Sequence, residues 1–283
     1  MAISLNRIYC RLVQAGVRSL VQCTGRGGGK FVALLPKGET FLMPNYCQNL
    51  KFQVDTTYPM EATTWLTGVY DSQTTHFLQT VIRPGDVMLD VGANCGALTL
   101  VAAQRVQNGK IYAFEPSPTI RQRLQANLDL NATLPAQMRV IPLGLGATRH
   151  QLRYYEDPTY PGNGALSPTQ GEPVEVIALD EWCGLEAVQQ INLIKIDVEG
   201  MEYEVLQGAK ATLTQFHPLL YFETLPIFFT HKPYTLRSLY EFLIALDYQI
   251  RYPSPPYAQV PLDGPYPANS VAIHPQHLTR LQL

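Results

Sequence analysis

The sequence predicts an α/β protein with a mostly parallel, Rossmann-like sheet. Three observations carry that prediction. Apolar β-type runs alternate with helix-like stretches from Arg83 onward. The first run, Val87–Val91, contains a carboxylate, Asp90, and leads into a glycine-bearing turn. About twenty residues later the next run ends in a second acidic residue, Glu115.

Each element follows from local pattern. Residues 4–22 place Leu5, Ile8, Leu12, Val13, Val17, Leu20 and Val21 at helical spacing, with Arg7, Arg11 and Arg18 between them. Such a basic amphipathic helix can make peripheral membrane contact. Packing on its own domain or on a sister subunit is the favoured alternative, and the oligomeric state stays open. Gly27-Gly28-Gly29-Lys30 invites a phosphate-loop reading, but Phe31 stands where Ser or Thr would hold magnesium and no strand precedes it. A hairpin turn there predicts short strands through Phe31–Leu35 and Thr40–Pro44. The chain thus divides into an N-terminal extension, 1–68, with an amphipathic helix and short strands, and a nucleotide-type domain, 69–283.

Within that domain Pro84-Gly85-Asp86 is a turn, and strands are expected at Val87–Val91, Ile111–Phe114, Arg139–Leu143, Ile191–Ile196, Leu219–Phe222 and Ser270–His274. Helices are expected near 97–107, 117–130, 202–215 and 236–247. Residues 144–178 read as a hairpin-like excursion, and 251–269 as a loop rich in Pro and Tyr. Right-handed crossovers would put the loops at the strands' C-terminal ends on one edge, where ligands bind.

Composition sets the outer limits. The 283 residues are 46% hydrophobic and 16% charged, with a formal net charge of −2, which gives no overall field for nucleic acid. No basic stripe with interleaved aromatics points to a nucleic-acid substrate. The charge is nonetheless uneven: Arg7, Arg11, Arg18, Arg26, Lys30 and Lys37 all precede the first acid, Glu39. Five cysteines lack metal or redox spacing, and no stretch approaches the ~18–20 apolar residues of a membrane span, so a cytoplasmic protein with reduced thiols is expected.

The turn Asp90-Val91-Gly92-Ala93-Asn94-Cys95-Gly96 is the most informative segment. Gly92 and Gly96 let the backbone approach a ligand, and Glu115 can accept both hydroxyls of a ribose. A dinucleotide fold would carry G-x-G-x-x-G; here the spacing is G-x-N-x-G. An aspartate at Asp90 would repel a pyrophosphate and suits a ligand bearing an ammonium and a sulfonium. That argument favours S-adenosylmethionine over NAD. An NAD-type oxidoreductase and a non-catalytic nucleotide-binding module remain the alternatives.

The chain resembles the FkbM family of methyltransferases from about Val69 to Glu223. The resemblance rests on Asp-Val-Gly-Ala-Asn-x-Gly at 90–96, Phe-Glu-Pro at 114–116 and Leu-Asp at 179–180. It rests further on Lys195-Ile196-Asp197-Val198-Glu199-Gly200, Glu202, Val205-Leu206 and Gly208-Ala209. It implies a class I methyltransferase sheet with the last strand antiparallel, and S-adenosylmethionine as methyl donor. Carried over, Asp90, Gly92, Asn94 and Gly96 fall on the methionine side and Glu115 on the ribose. The turn near Leu143-Gly144 falls by the adenine, where this chain reads Pro142-Leu143-Gly144-Leu145-Gly146 and the family more often shows Ala-Leu-Gly.

Asp197-Val198-Glu199-Gly200 follows a strand on the ligand edge. Asp197 is the first choice for base or acceptor-orienting group and Glu199 the second, on the same side if extended geometry continues. Either could instead cap the helix that begins near Met201. Paired carboxylates can also hold Mg²⁺, a reading kept open but not favoured. Glu223 ends a strand on the same edge. Tyr154, Tyr155 and Tyr160 of the excursion, and Tyr252, Tyr257 and Tyr266 of the late loop, offer rings and hydroxyls to an acceptor. Of these, Tyr155 and Tyr257 join Glu223 as the substrate-binding candidates. The six histidines lack ligand spacing and receive no role. The resemblance implies a small-molecule or glycan acceptor, methylated on a sugar hydroxyl.

Overall fold

The structure, a computed structural model, describes residues 5–24, 28–156, 164–167 and 169–281. Helix α1 (Leu5–Thr24) is followed by a 3-10 helix over Gly28–Leu34, strands β1 (Thr40–Tyr46) and β2 (Leu50–Asp55), and helices α2 (Pro59–Thr67) and α3 (Ser72–Val81). Next come β3 (Val87–Val91), α4 (Ala97–Val106), β4 (Lys110–Phe114), α5 (Pro118–Asp129) and β5 (Gln137–Ile141). The excursion holds β6 (Gly144–Gly146), β7 (His150–Glu156), β8 (Gly164–Ser167) and β9 (Glu172–Ala178). Then follow α6 (Leu179–Leu185), β10 (Leu193–Ile196), α7 (Glu202–Gln207), α8 (Lys210–Phe216) and β11 (Leu219–Glu223). The chain closes through α9 (Leu236–Ile244), β12 (Gln249–Arg251), β13 (Asn269–Ile273) and a 3-10 turn over Pro275–Leu281.

Alternating apolar residues make the central sheet two-faced. Met88, Ile111, Leu193, Tyr221 and Val271 join one core; Leu89, Val91, Phe114, Ile194, Ile196, Phe222 and Ala272 join the other. The order is β12-β13-β11-β10-β3-β4-β5. β13 runs antiparallel to both its neighbours, as the resemblance implies, and β11, β10, β3, β4 and β5 pair in parallel. The loops after β3, β4, β10 and β11 therefore share one edge.

Two expectations are corrected. Phe31–Leu35 is not a strand: residues 28–34 are a 3-10 helix, and β1 pairs instead with β2. The turn lies at Cys47, Gln48 and Asn49, all at positive φ, and Leu50, Phe52 and Val54 alternate inward beyond it. The helix near 202–215 is broken at Gly208, where the chain passes so close to β6 that a Cβ would run into the Gly146 carbonyl. α8 is then capped from outside, by Asp180 accepting the N–H groups of Ala211 (2.8 Å) and Thr212 (2.7 Å). Helices α2 and α3 form over a threonine-rich stretch, although β-branched residues disfavour helix. Thr64, Thr67 and Thr80 satisfy their hydroxyls by donating to carbonyls four residues back. Gly27 of the expected turn and 157–163 of the excursion, with Tyr160, lie outside the described residues.

Helix α1 packs on α2 of the same leading segment. Cys10 and Val17 of α1 are buried, and Gln14 and Arg18 donate to the Trp65 carbonyl. Ile8, Tyr9 and Leu12 stay exposed. The outer edge of β2 is closed by two side chains, Asn127 of α5 and Asn131 just past its C-terminus. Asn131 exchanges hydrogen bonds with both backbone groups of Lys51 (2.9 and 2.6 Å). Asn127 accepts from the Gln53 N–H (2.8 Å) and donates to the carbonyls of Gln53 (3.4 Å) and Cys95 (2.9 Å). Two asparagines one helical turn apart thus act as a strand on an edge that would otherwise be unpaired.

Candidate active site

A cleft of about 260 Å³ opens on the C-terminal edge. Its wall includes Gly92, Ala93, Asn94, Glu115, Leu143, Gly144, Tyr154, Lys195, Asp197, Glu199 and Glu223. Met60, Tyr70, Asp71 and Asn269 also line it. Three non-glycine residues of this wall, Asp71, Asn94 and Glu199, have positive φ, backbone strain gathered where a ligand would sit.

The glycine turn has a packing reason at each glycine. At Gly92, φ is +75° and a Cβ would collide with the Asp197 carbonyl, so the β3 and β10 loops touch backbone to backbone. At Gly96, φ is +85° and a Cβ would stand 2.5 Å from Leu124 Cδ1, so this glycine seats α4 against α5 and does not line the cleft. Asp90 is fully buried and also off the wall. It accepts from Thr99 Oγ1 (2.6 Å) and pairs with Lys195 Nζ (3.1 Å). The acidity facing a ligand therefore comes from Asp71, Glu115, Asp197, Glu199 and Glu223, with Lys195 as the only lysine or arginine among the described lining residues.

Glu115 is 5% exposed. One carboxylate oxygen accepts the Asn94 N–H (3.0 Å) and the other the Ser117 N–H (2.9 Å). Each oxygen keeps a lone pair, so the group can still accept two vicinal hydroxyls. Desolvation by burial raises its pKa to about 7 against those two hydrogen bonds.

Beyond β10 the chain does not stay extended: the strand stops at Ile196, and Glu199 turns to φ +54°. Asp197 and Glu199 both reach the cleft nonetheless. Neither caps α7, whose N-cap, Met201, has no side-chain hydrogen bond. Instead buried Glu202 reaches back to accept the N–H groups of Val198 (3.0 Å) and Gly200 (3.4 Å), which fixes the loop. Burial, then repulsion from Asp197, raises Glu199 to about 7. Burial, then Asp197 and Glu199, raises Glu223 to about 9, and one of its oxygens is buried without a hydrogen-bond partner. Of the tyrosines, Tyr154 lines the cleft; Tyr155 is exposed and Tyr257 is buried in the core away from it. No histidine lines it, and no group of three or more His, Cys, Asp or Glu among the described residues is arranged to hold a metal ion.

Four raised carboxyls give stability a definite pH slope. Glu115, Glu199 and Glu202 (about 7) and Glu223 (about 9) start from an ordinary value of 4.5. Between those limits the folded state holds protons that the unfolded chain has released, so stability is lost as pH rises. The melting temperature of the ligand-free protein should fall steadily from pH 5 to pH 9; thermal unfolding that strengthened over this range would contradict the burial of these groups.

Residues 90–250 match the Methyltransferase FkbM domain. The chain belongs to the FkbM methyltransferase family. Among relatives, it is 30% identical over 144 residues to Methyltransferase 1 of Beauveria bassiana, covering 43% of this chain and 57% of that protein. It is 32% identical over 126 residues to the hexuronic acid methyltransferase AglP of Haloferax volcanii, covering 44% and 49%. It is 26% identical over 184 residues to the 2-O-methyltransferase NoeI of Sinorhizobium fredii, covering 56% and 67%. The chain spans about half the length of the first curated relatives it matches. The FkbM segment begins at Asp90 and runs to Ile250, so it holds Glu115, Asp197, Glu199 and Glu223 but not Met60, Tyr70 or Asp71. No helix among the described residues is long and apolar enough to cross a membrane.

Lys195 and Asp71 line the cleft and Glu202 holds its loop, and none of the three receives a role from sequence pattern. For Lys195 a signal existed: a lysine inside the apolar run Leu193–Ile196 needs a buried counter-charge. Asp90 is the acid at the matching place in the neighbouring strand.

Proposed function

We propose that this chain transfers a methyl group from S-adenosylmethionine to a hydroxyl of a sugar-containing acceptor. The observation that carries the reading is one cleft lined both by a ribose-type carboxylate, Glu115 after β4, and by Asp197, Glu199 and Glu223, which follow or end β10 and β11 on the other side of β3. The donor set suits a cation: among the described lining residues five carboxylates face one lysine, an arrangement hostile to a pyrophosphate. Gly92, Ala93 and Asn94 would hold the methionine end, Glu115 the ribose, and Leu143 and Gly144 the adenine.

When bound, S-adenosylmethionine supplies an electrophilic methyl on a sulfonium that leaves as a neutral thioether. The protein has to align the acceptor hydroxyl and take its proton, because an alcohol is a weak nucleophile. Glu199 is the base in this reading and Asp197 the orienting carboxylate, which reverses the order drawn from sequence. The reason is Lys195, whose ammonium stands 3.6 Å from Asp197, whereas Glu199 is raised toward neutral pH, where a general base works best. Glu223 and Asn269 lie beside them to receive further hydroxyls.

Relatives named as a hexuronic acid methyltransferase and a 2-O-methyltransferase support O-methylation of a sugar, and the charge of this cleft sets its acceptor apart from the uronate of the first. Asp71, Asp197, Glu199 and Glu223 line the cleft, so a neutral sugar should be preferred to a uronate. Calorimetry with S-adenosylmethionine, S-adenosylhomocysteine and NAD, followed by labelled-methyl transfer to paired neutral and carboxylated glycosides, tests both parts. Binding of the two sulfur ligands and label on the neutral sugars are expected. Binding of NAD alone would sink the donor assignment, and preferential labelling of uronates would sink the acceptor argument.

A further inference from the structure

A row of polar side chains crosses the otherwise apolar face of the sheet beneath the cleft. Asp90, Lys195 and Tyr221 lie opposite one another on β3, β10 and β11. Thr99 of α4 closes one end of the row through its hydrogen bond to Asp90. At the other end Thr74 of α3 shares a 2.8 Å hydrogen bond with the Tyr221 hydroxyl and also bonds to Asp71. Every member but Asp71 is buried. A buried ammonium is costly unless paired, and here it is paired several ways. Lys195 Nζ donates to the Gly92 carbonyl at 2.8 Å, and lies 3.1 Å from Asp90 and 3.6 Å from Asp197.

We propose, building on the methyl-transfer reading, that Lys195 is a positioning residue: its ammonium ties the donor turn, through Gly92, to the acceptor loop, through Asp197, and sets the charge of the acidic rim. Its contacts span the two loops that touch at Gly92 and Asp197, where no side chain fits between. Burial alone would push the lysine down; Asp90 and then Asp197 outweigh it and hold it protonated. In turn its charge opposes the upward shifts of Glu115, Glu199 and Glu223. The charged and titratable groups around it are Asp90 on β3, Glu115 after β4, Asp197 and Glu199 after β10, Tyr221 and Glu223 on β11, and Asp71 before α3.

The test is the pH dependence of S-adenosylmethionine affinity in three variants. A cation binds best once the rim is ionised, so affinity should climb to an alkaline limit with a measurable midpoint. Lys195→Met should move that midpoint up by about one pH unit, Lys195→Arg should leave it in place, and Asp90→Asn should move it down by freeing the ammonium's field. Weakening by one factor at every pH, without a shift of midpoint, would overturn the proposal and leave Lys195 a packing residue. If Lys195→Met does not fold, the direction seen with Asp90→Asn decides alone. Wild-type protein that binds neither S-adenosylmethionine nor S-adenosylhomocysteine would instead defeat the methyl-transfer reading.

Discussion

Glu199→Gln is expected to lower kcat by about 10²–10⁴-fold while changing the affinity for S-adenosylmethionine by only a few-fold. The magnitude is that of a positioned base removed from a proton transfer. Glutamine keeps the shape and the hydrogen-bonding reach of the side chain but cannot accept the hydroxyl proton at any pH. Raising the pH should therefore restore nothing. Asp197→Asn should behave differently, because a residue that orients the acceptor and answers Lys195 affects acceptor KM as well as kcat. Steady-state kinetics with each substrate varied in turn separate the two. Should Glu199→Gln retain its kcat and lose only donor affinity, Glu199 is a donor ligand and the base lies elsewhere.

Glu115→Ala should weaken donor binding by about 10²-fold or more. Two hydrogen bonds from hydroxyls to a carboxylate are lost, each worth about 1.5–3 kcal/mol. The Asn94 and Ser117 N–H groups also lose their acceptor, which loosens the turn and the start of α5 together. Glu115→Gln keeps an acceptor for one of them and should fall between. Calorimetry with S-adenosylhomocysteine reads this directly, since that ligand shares the ribose but lacks the sulfonium charge. Wild-type affinity in Glu115→Ala would mean that the ribose lies elsewhere in the cleft.

The sheet was legible because both of its faces are buried. Val87–Val91, Ile111–Phe114 and Leu219–Phe222 are apolar runs whose only polar members sit at chemically loaded places, and each is a strand of the structure. Glu115, Asp197, Glu199 and Glu223 could be found because strand ends are local features. What they touch was not local. Asp90 reads as a ligand-facing acid until Lys195, more than a hundred residues away, is seen beside it. Tyr154 and Tyr155 are indistinguishable in sequence, and only the pairing of β7 with β8 and β9 decides which one faces the cleft. The threonine helices α2 and α3 were hidden because their stability comes from carbonyl back-bonding and burial, which propensity does not register. Asp180 is one of the residues that carry the resemblance, yet the structure gives it a helix to cap and no place on the wall.

The asparagines at the C-terminal end of α5 bind the fate of the hairpin to that of the helix. Asn127 and Asn131 accept the N–H groups of Gln53 and Lys51, so a shortened chain beginning after residue 68 would leave both amide oxygens without these donors. Such a chain would need apolar replacements at 127 and 131 before it could be expected to stand alone. Because α5 starts three residues after Glu115, the leading segment serves as a splint for the ribose carboxylate, although no residue of β1 or β2 lines the cleft.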